Sequence, residues 1–281
     1  MENPLVSVII PTFNRERYIK RALASVLSQT YQSFEIIIID DGSTDKTNEI
    51  ISLYLKDKRI RYIYQQNQGV SIANNNGIKV AIGKYIALLH SDDFWCDDKK
   101  LEKQVNFLEG HHDYLLTGGG IIRVKESGKE VSHILYPETE EQIKKTMLLS
   151  CSFASSSVVF RKNAWEITKG FDKNLEVCED WDLWLKIGKI GKLYNFQEYF
   201  TYYQESEKSL SNIHRKRSFK YNLKLIKKYS KDYLFFKKAM FLNICYYFYT
   251  FVPFNQKLLP IFSKIKRMIF GKPSYKDFKT K

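Results

Sequence analysis

Apolar and polar positions fall into alternating blocks along the first half of the chain. Short apolar runs at 5–10, 34–39, 60–64 and 85–89 read as strands. Helical patterns follow each of them, near 16–29, 45–55, 69–82 and 98–109. That alternation is the βαβα signature of a parallel, doubly wound sheet. The stretch FEIIIIDDGSTDKT (34–47) is its clearest unit, because four consecutive isoleucines read as a strand buried on both faces that delivers two carboxylates to its carboxyl end. Ligands of open α/β sheets bind at that edge. A turn at Asp40–Asp41, followed by a Ser43 or Thr44 helix cap, would use the same residues without a ligand.

After YLLTGGGIIRV the rhythm changes. Residues 119–124 and 129–134 flank KESGK as a hairpin, and SSSVVFRKNAW reads as a strand followed by a helix start. EDWDLWLKIGKIG reads as a helix with Leu183, Trp184 and Ile187 on one side, followed by strands near 193–196 and 199–203.

Composition then narrows the picture. A chain of 281 residues accommodates one large α/β domain with an appendage, or two small domains. The N-terminus carries an acid where a signal peptide needs a base, and its apolar run stops at Pro11, so a protein that is not exported is expected. Cys96, Cys151, Cys178 and Cys245 are scattered without a Cys-x-x-Cys pair, which indicates neither a zinc site nor a disulfide framework.

The net charge of +14 is unevenly placed. Residues 215–281 hold 18 Lys and Arg against 2 Asp and Glu, a net of +16, and residues 1–214 hold 27 against 29, a net of −2. Such asymmetry is a partner signal, for an anionic membrane or a nucleic acid.

Acidic or polar clusters follow the apolar runs, PTFN at 11–14, DDGS at 40–43 and SDD at 91–93, and ED at 179–180 opens a later helix. Carboxylates gathered at one sheet edge repel one another unless a cation belongs there. Oxygen-only ligation points to Mg²⁺ or Mn²⁺ bridging to a phosphate. No Gly-x-x-x-x-Gly-Lys-Ser/Thr loop is present, and GGG at 118–120 lacks dinucleotide spacing. His111 and His112 sit in a predicted loop with no partner at ligand spacing.

VSVIIPTFNRERYIKRALASVLSQTYQSFEIIIIDDGSTDKT, GVSIANNNGI, GKYIALLHSDD, KLEKQ and EDWDLWL, in that order over roughly residues 5–190, resemble the family 2 inverting glycosyltransferases of the GT-A nucleotide-binding fold. The resemblance implies a hexosyltransferase-type enzyme on an α/β fold with a mainly parallel central sheet, followed here by a basic helical tail. It places the nucleotide of a uridine diphosphate sugar at Pro11, Thr12, Asp40, Asp41 and Asn74. Asp41 would accept a hydrogen bond from a ring N–H with Asp40 as support, and Asp92 would contact the ribose or donor sugar. Asp93 would bind Mn²⁺ or Mg²⁺ at the diphosphate, and Asp180 would be the general base on the acceptor hydroxyl. Trp95, Glu179 and Trp181 would line the acceptor or sugar site. Acids at a helix start are favoured by the dipole whatever the function, so Glu179 and Asp182 stand beside Asp180 as alternatives. Trp184 is expected in the core from its spacing. The family often has Arg where this chain has Asn74, which removes a cation beside the nucleotide, and Asp where it has His90.

By charge, a catalytic domain spans 1–213, its nucleotide-sugar part about 1–110 and its acceptor part about 111–213, and a basic, aromatic tail spans 214–281. Residues 219–231 place Phe219, Leu223 and Ile226 on one helical face, with Lys220, Lys224, Lys227 and Lys231 on another, and 261–270 repeat the theme. The apolar stretch 239–254 is 16 residues long, short of the roughly 20 that a bilayer crossing needs. Two readings of the tail stand: an interfacial anchor on anionic lipid, and a helical tail packed on the catalytic domain. The first implies a cytoplasmic enzyme attached peripherally to the inner face of the cell membrane, acting on a surface polysaccharide or lipid-linked oligosaccharide. Nucleic acid is the weaker partner, since the tail has apolar faces and no reading motif. Asn74 and His90 also admit a noncatalytic nucleotide-sugar binder.

Overall fold

The computed structural model describes residues 5–205 and 215–249. Strands β1 (Val6–Thr12), β2 (Phe34–Asp40), β3 (Ile60–Tyr64) and β4 (Tyr85–Leu88) pair in parallel in the order β3-β2-β1-β4, joined through helices α1 (Ile19–Leu27), α2 (Thr47–Ser52) and α3 (Val70–Val80). This is the α/β arrangement expected, with the four parallel strands forming one half of the sheet. The four isoleucines of β2 serve both faces, because successive side chains of a strand point to opposite sides. Ile37 and Ile39 join Ile9, Ala73 and Ile78 in one core layer; Ile36 and Ile38 join Val8, Ile10 and Leu23 in the other.

The order 3-2-1-4 creates a switch point, since the chain leaves β1 toward β2 and later returns to its other side as β4. The pairing of β4 ends at Ile9↔Leu88, so β1 runs on through Pro11 and Thr12 with only β2 beside it. The open side tolerates a proline, which has no N–H for a second neighbour, and leaves a crevice of the kind that holds ligands.

Beyond β4 the sheet is mixed. It continues with β5 (Phe94–Trp95), α4 (Lys100–Gly110), β6 (Tyr114–Val124), β7 (Glu130–Ile134), α5 (Glu140–Thr146), a 3-10 turn at Ser155–Ser157, β8 (Val159–Arg161), α6 (Lys162–Thr168), α7 (Glu179–Gly188) and β9 (Lys192–Gln204). Strand β8 runs antiparallel between β4 and β6, β9 lies parallel to β6, and β5 closes the edge antiparallel to β9. The hairpin around KESGK is β6–β7.

Two expectations change here. The strands near 193–196 and 199–203 are one strand, because a register shift opposite Gly118 and Gly120 absorbs the extra residues without ending the ladder. Helix α5 was missed, although Thr139 and Gln142 form a capping box with the Ser/Thr-x-x-Glu/Gln spacing that marks a helix start.

The first part of the tail folds back on the body as α8 (Arg215–Lys228) and α9 (Phe236–Tyr249). Leu225, Ile226, Tyr229, Tyr233 and Ala239 share a core layer with Leu183, Trp184 and Ile187 of α7. Asp182, with no exposure, anchors this contact: its Oδ1 accepts from Lys228 Nζ at 2.7 Å and from the Tyr229 hydroxyl at 2.8 Å, and Lys186 pairs with Oδ2 at 2.7 Å. Tyr233 donates to the carbonyl of Leu185 at 2.7 Å. Of the apolar face expected at Phe219, Leu223 and Ile226, the buried member is Ile226, and Leu225 and Tyr229 turn inward with it. Among the described residues no helix is long and apolar enough to cross a membrane. The amphipathic pattern at 261–270 and the end of the 239–254 stretch lie outside the described residues.

Candidate active site

The DDGSTDKT turn is interlocked with the loop after β1. Asn14 N–H donates to Ser43 Oγ (2.9 Å), Arg15 N–H to Thr47 Oγ1 (2.8 Å) and Glu16 N–H to Asp45 Oδ2 (3.1 Å). Much of this polar sequence therefore builds a rigid rim. Asp40 is fully buried, accepting from Ser43 N–H at 2.8 Å and from the Tyr62 hydroxyl at 2.7 Å. Asp41 accepts from Gln65 Nε2, Gln68 N–H and Gly69 N–H at 2.7–2.8 Å, which draws the 65–69 loop over the turn. A carboxylate has about four acceptor positions, so one on Asp41 Oδ2 is left. Gly42 is required where the loop crosses: its φ is +86° and a Cβ there would lie 3.0 Å from Asn67 N.

Two buried oxygens at this edge lack a hydrogen-bond partner, Thr12 Oγ1 and Asn74 Oδ1. Asn74 lies one turn before Gly77, whose Cα rests on Ile9 and Ile39, so α3 carries it toward the carboxyl ends of β1 and β2. Pro11 is buried beside Ile39.

Across the crevice, β4 is followed by His90-Ser91-Asp92-Asp93. Asp92 is partly exposed and lies 3.4 Å from Arg15. Asp93 is 2% exposed; its Oδ1 accepts from Gln204 N–H at 3.0 Å and its Oδ2 from the Ser156 hydroxyl at 2.5 Å. Burial first, then the charge of Asp92, pushes the Asp93 carboxyl well above the usual range. Adjacent carboxylates, one of them buried at a charge cost, suit a hard divalent cation, which would reverse that cost. Among the described residues no group of three or more His, Cys, Asp or Glu could hold a metal. Magnesium-type sites need no such cage, since one or two carboxylates complete their shell with phosphate and water. The residues fit such an ion.

Asp180 opens α7. Its Oδ2 accepts from the Ser155 hydroxyl at 2.7 Å and its Oδ1 from Trp181 N–H at 2.7 Å. Two consecutive serines thus hold the two carboxylates, Ser155 on Asp180 and Ser156 on Asp93. Their turn is fixed from several sides: Ser156 Oγ accepts from His90 N–H at 3.1 Å, and its carbonyl accepts from Trp95 Nε1 (2.8 Å) and Thr201 Oγ1 (3.0 Å). The sequence pattern reads SSSVVFRKNAW as a strand followed by a helix start and does not show this role; three hydroxyls in a row before an apolar strand were the available signal. Glu179 is buried, and burial with the neighbouring charge of Asp180 raises its carboxyl.

Trp95 is buried with Lys100 Nζ 4.1 Å from its ring centre, and Trp181 is buried with its indole N–H on the carbonyl of Met147 at 2.7 Å. The two rings expected at the acceptor or sugar site thus lie in the core layers. Trp184, expected in the core, lies among Phe153, Phe160 and Phe171.

The family model "Glycosyl transferase family 2" matches residues 7–168, which include Asp40, Asp41, Asp92 and Asp93 and stop before Asp180. An uncharacterized glycosyltransferase of Rickettsia felis is 39% identical over 67% of this chain, and the chain spans 31% of that protein's length. Bacillus subtilis TuaG, named for teichuronic acid biosynthesis, is 33% identical over 74% of this chain and 82% of its own. Among solved structures, Staphylococcus aureus TarS with UDP-GlcNAc superposes with a TM-score of 0.66 at 19% identity, covering 94% of this chain and 77% of that one. The mannosyltransferase PcManGT of Pyrobaculum calidifontis, solved with GDP-Man and Mn²⁺, gives 0.63 at 16% identity, over 95% and 81%. These two likenesses show the GT-A-like α/β fold. The extent of the family match and the TuaG identity carry the assignment: this chain belongs to glycosyl transferase family 2.

Proposed function

We propose that the chain moves a sugar from a uridine diphosphate sugar to a hydroxyl of a surface polysaccharide or lipid-linked oligosaccharide, by metal-assisted single displacement with inversion. The observation that carries this reading is the serine turn that holds Asp93 and Asp180 through neighbouring hydroxyls beside the switch-point crevice. The UDP-GlcNAc of TarS and the polysaccharide named for TuaG support the donor and acceptor classes.

In this reading Thr12 Oγ1, Asn74 Oδ1 and the remaining acceptor position of Asp41 meet the nucleotide, and Asp40 braces Asp41 from below. Asp92 contacts the ribose or donor sugar. Asp93, with Asp92 beside it, would hold Mn²⁺ or Mg²⁺, which supplies Lewis-acid stabilisation of the charge that grows on the leaving diphosphate. Arg15 and Arg21 add positive charge to the same rim. Asp180 takes the proton from the acceptor hydroxyl as that oxygen attacks the anomeric carbon from the face opposite the leaving group. The tail 214–281 brings the site to an anionic membrane surface on the cytoplasmic side, supported by its net charge.

Uridine diphosphate is expected to raise the melting temperature, and more so with Mn²⁺ or Mg²⁺. Asp93→Asn should abolish the metal-dependent part alone. A thermal shift indifferent to both chelator and this substitution would remove Asp93 from the site.

Ser156→Ala is expected to raise the Mn²⁺ concentration for half-maximal transfer by about 10–100-fold, the usual effect of removing a hydrogen bond to a metal ligand. Metal titration of transfer activity tests it, and an unchanged half-saturation would make Ser156 a packing residue only.

A further inference from the structure

Helix α9 is apolar on nearly all sides: its non-apolar members are Lys237, Lys238 and Asn243. A helix of that composition is ordinarily buried all round. Here one side lies on α8, where Phe219 stacks on Tyr247 with ring centres 4.0 Å apart, Asn222 Nδ2 donates to Asn243 Oδ1 at 3.3 Å, and Ala239 is buried. The opposite side is open. Phe241 is 61% exposed, Ile244 38% and Phe248 65%, and with exposed Lys237 they form a single stripe at spacings of four, seven and eleven residues. Leu234 (58%) and Phe235 (47%) extend the apolar surface into the turn before α9.

The neighbouring helix carries the complementary feature. Lys220, Lys224, Lys227 and Lys231 are exposed at the same helical spacing, running from α8 into the turn. Residues 215–249 hold ten Lys and Arg against one acid, Asp232. The apolar face of α8 that could have entered a membrane, Leu225 and Ile226, together with Tyr229 just beyond it, is already packed on the catalytic body. The outward surface of this hairpin therefore has one apolar stripe and one lysine stripe on adjacent rods.

We propose that the α8–α9 hairpin docks on an anionic lipid surface, with Leu234, Phe235, Phe241, Ile244 and Phe248 entering the headgroup and acyl boundary and the α8 lysines meeting lipid phosphate. This rests on the membrane reading above and deepens it by naming the surface. Apolar side chains over an acyl boundary together with lysines facing anionic headgroups are the pattern of an interfacial helix. A protein partner with an acidic rim would also match the lysines, and the last outcome below tests for it. The hairpin is also held to the catalytic body: Lys228 at the end of α8 and Tyr229 in the turn after it bind Asp182, two residues after Asp180 on α7. Docking here sets the position of the catalytic helix against the membrane.

The test is flotation of the full chain with vesicles of phosphatidylcholine and phosphatidylglycerol, beside vesicles of phosphatidylcholine alone. The intact protein is expected to float with the anionic vesicles. The triple variant Phe241→Ser, Ile244→Ser, Phe248→Ser should lose that partition by about tenfold or more while keeping its melting temperature and its uridine diphosphate response. Lys220→Gln, Lys224→Gln and Lys227→Gln together should weaken binding to anionic vesicles at low salt and bring it toward the level on neutral ones. Intact protein that never floats overturns both this surface and the general membrane reading. Intact protein and triple variant that float equally overturn this surface alone, and residues 250–281 then supply the contact. A triple variant with a lowered melting temperature, or one that turns a dimer into a monomer, shows the stripe to be covered by protein and overturns the lipid assignment.

Discussion

Asp180→Asn is expected to lower sugar transfer by about 10²–10⁴-fold, the usual worth of a positioned general base, while donor binding stays as in the unaltered protein. The substitution keeps the side-chain shape, and Ser155 Oγ, which donates to Asp180 at 2.7 Å, can rotate to accept from an amide instead. The fold has no reason to change. The neighbouring acids are poor substitutes on physical grounds. Glu179 is buried, and burial with the charge of Asp180 favours its protonated form. Asp182 is wholly buried and engaged by Lys186, Lys228 and Tyr229, so it holds the tail and has no path to an acceptor. Turnover number from steady-state kinetics, with donor affinity from calorimetry on the same preparation, separates chemistry from binding. Near-unaltered turnover in Asp180→Asn would show that the base lies elsewhere.

A chain ending at residue 214 is expected to be insoluble or unfolded. The charge step near 213 suggests a separable appendage, yet burial does not stop there. Leu225, Ile226, Tyr229 and Tyr233 are buried against the layer that contains Leu183, Trp184 and Ile187. At roughly 1.5–3 kcal/mol for each large side chain buried, their loss is on the order of 6–12 kcal/mol. A domain is stable by only about 5–15 kcal/mol in total. The truncation also strands the Asp182 carboxylate with Lys186 as its remaining partner, and a buried charge that loses part of its pairing costs further stability. A chain ending after residue 249 keeps both helices and should fold. Expression, circular dichroism and melting of the two truncations decide the point: cooperative melting of the 214 truncation at the full-length temperature would make the tail an independent unit.

The parts legible in the sequence were those written locally. Hydrophobic period and turn residues placed β1 to β4 and the helices between them within a few residues, because strand and helix periodicities are carried by neighbours in the chain. The same rule put Asp40, Asp41, Asp92 and Asp93 at strand ends. It failed where a local signal was ambiguous: 193–196 and 199–203 read as two strands, and β6 shifts register against the single strand at Gly118 and Gly120.

The sequence by itself determined the α/β order, the acidic clusters and the split in charge. Only the tertiary structure decided which groups share a site and which share a core. The hydroxyl of Ser156 meets Asp93 across 63 positions, and Ser155 meets Asp180 across 25. Trp95 and Trp181, equally good sugar platforms by residue type, are core because their indole N–H groups find carbonyls 61 and 34 positions away. Asp182 looks like a second base on paper and is a tail anchor because Lys228 and Tyr229 fold back onto it. Periodicity records which side of an element is apolar, whereas the identity of the opposing surface depends on chain closure over distances that no local pattern encodes.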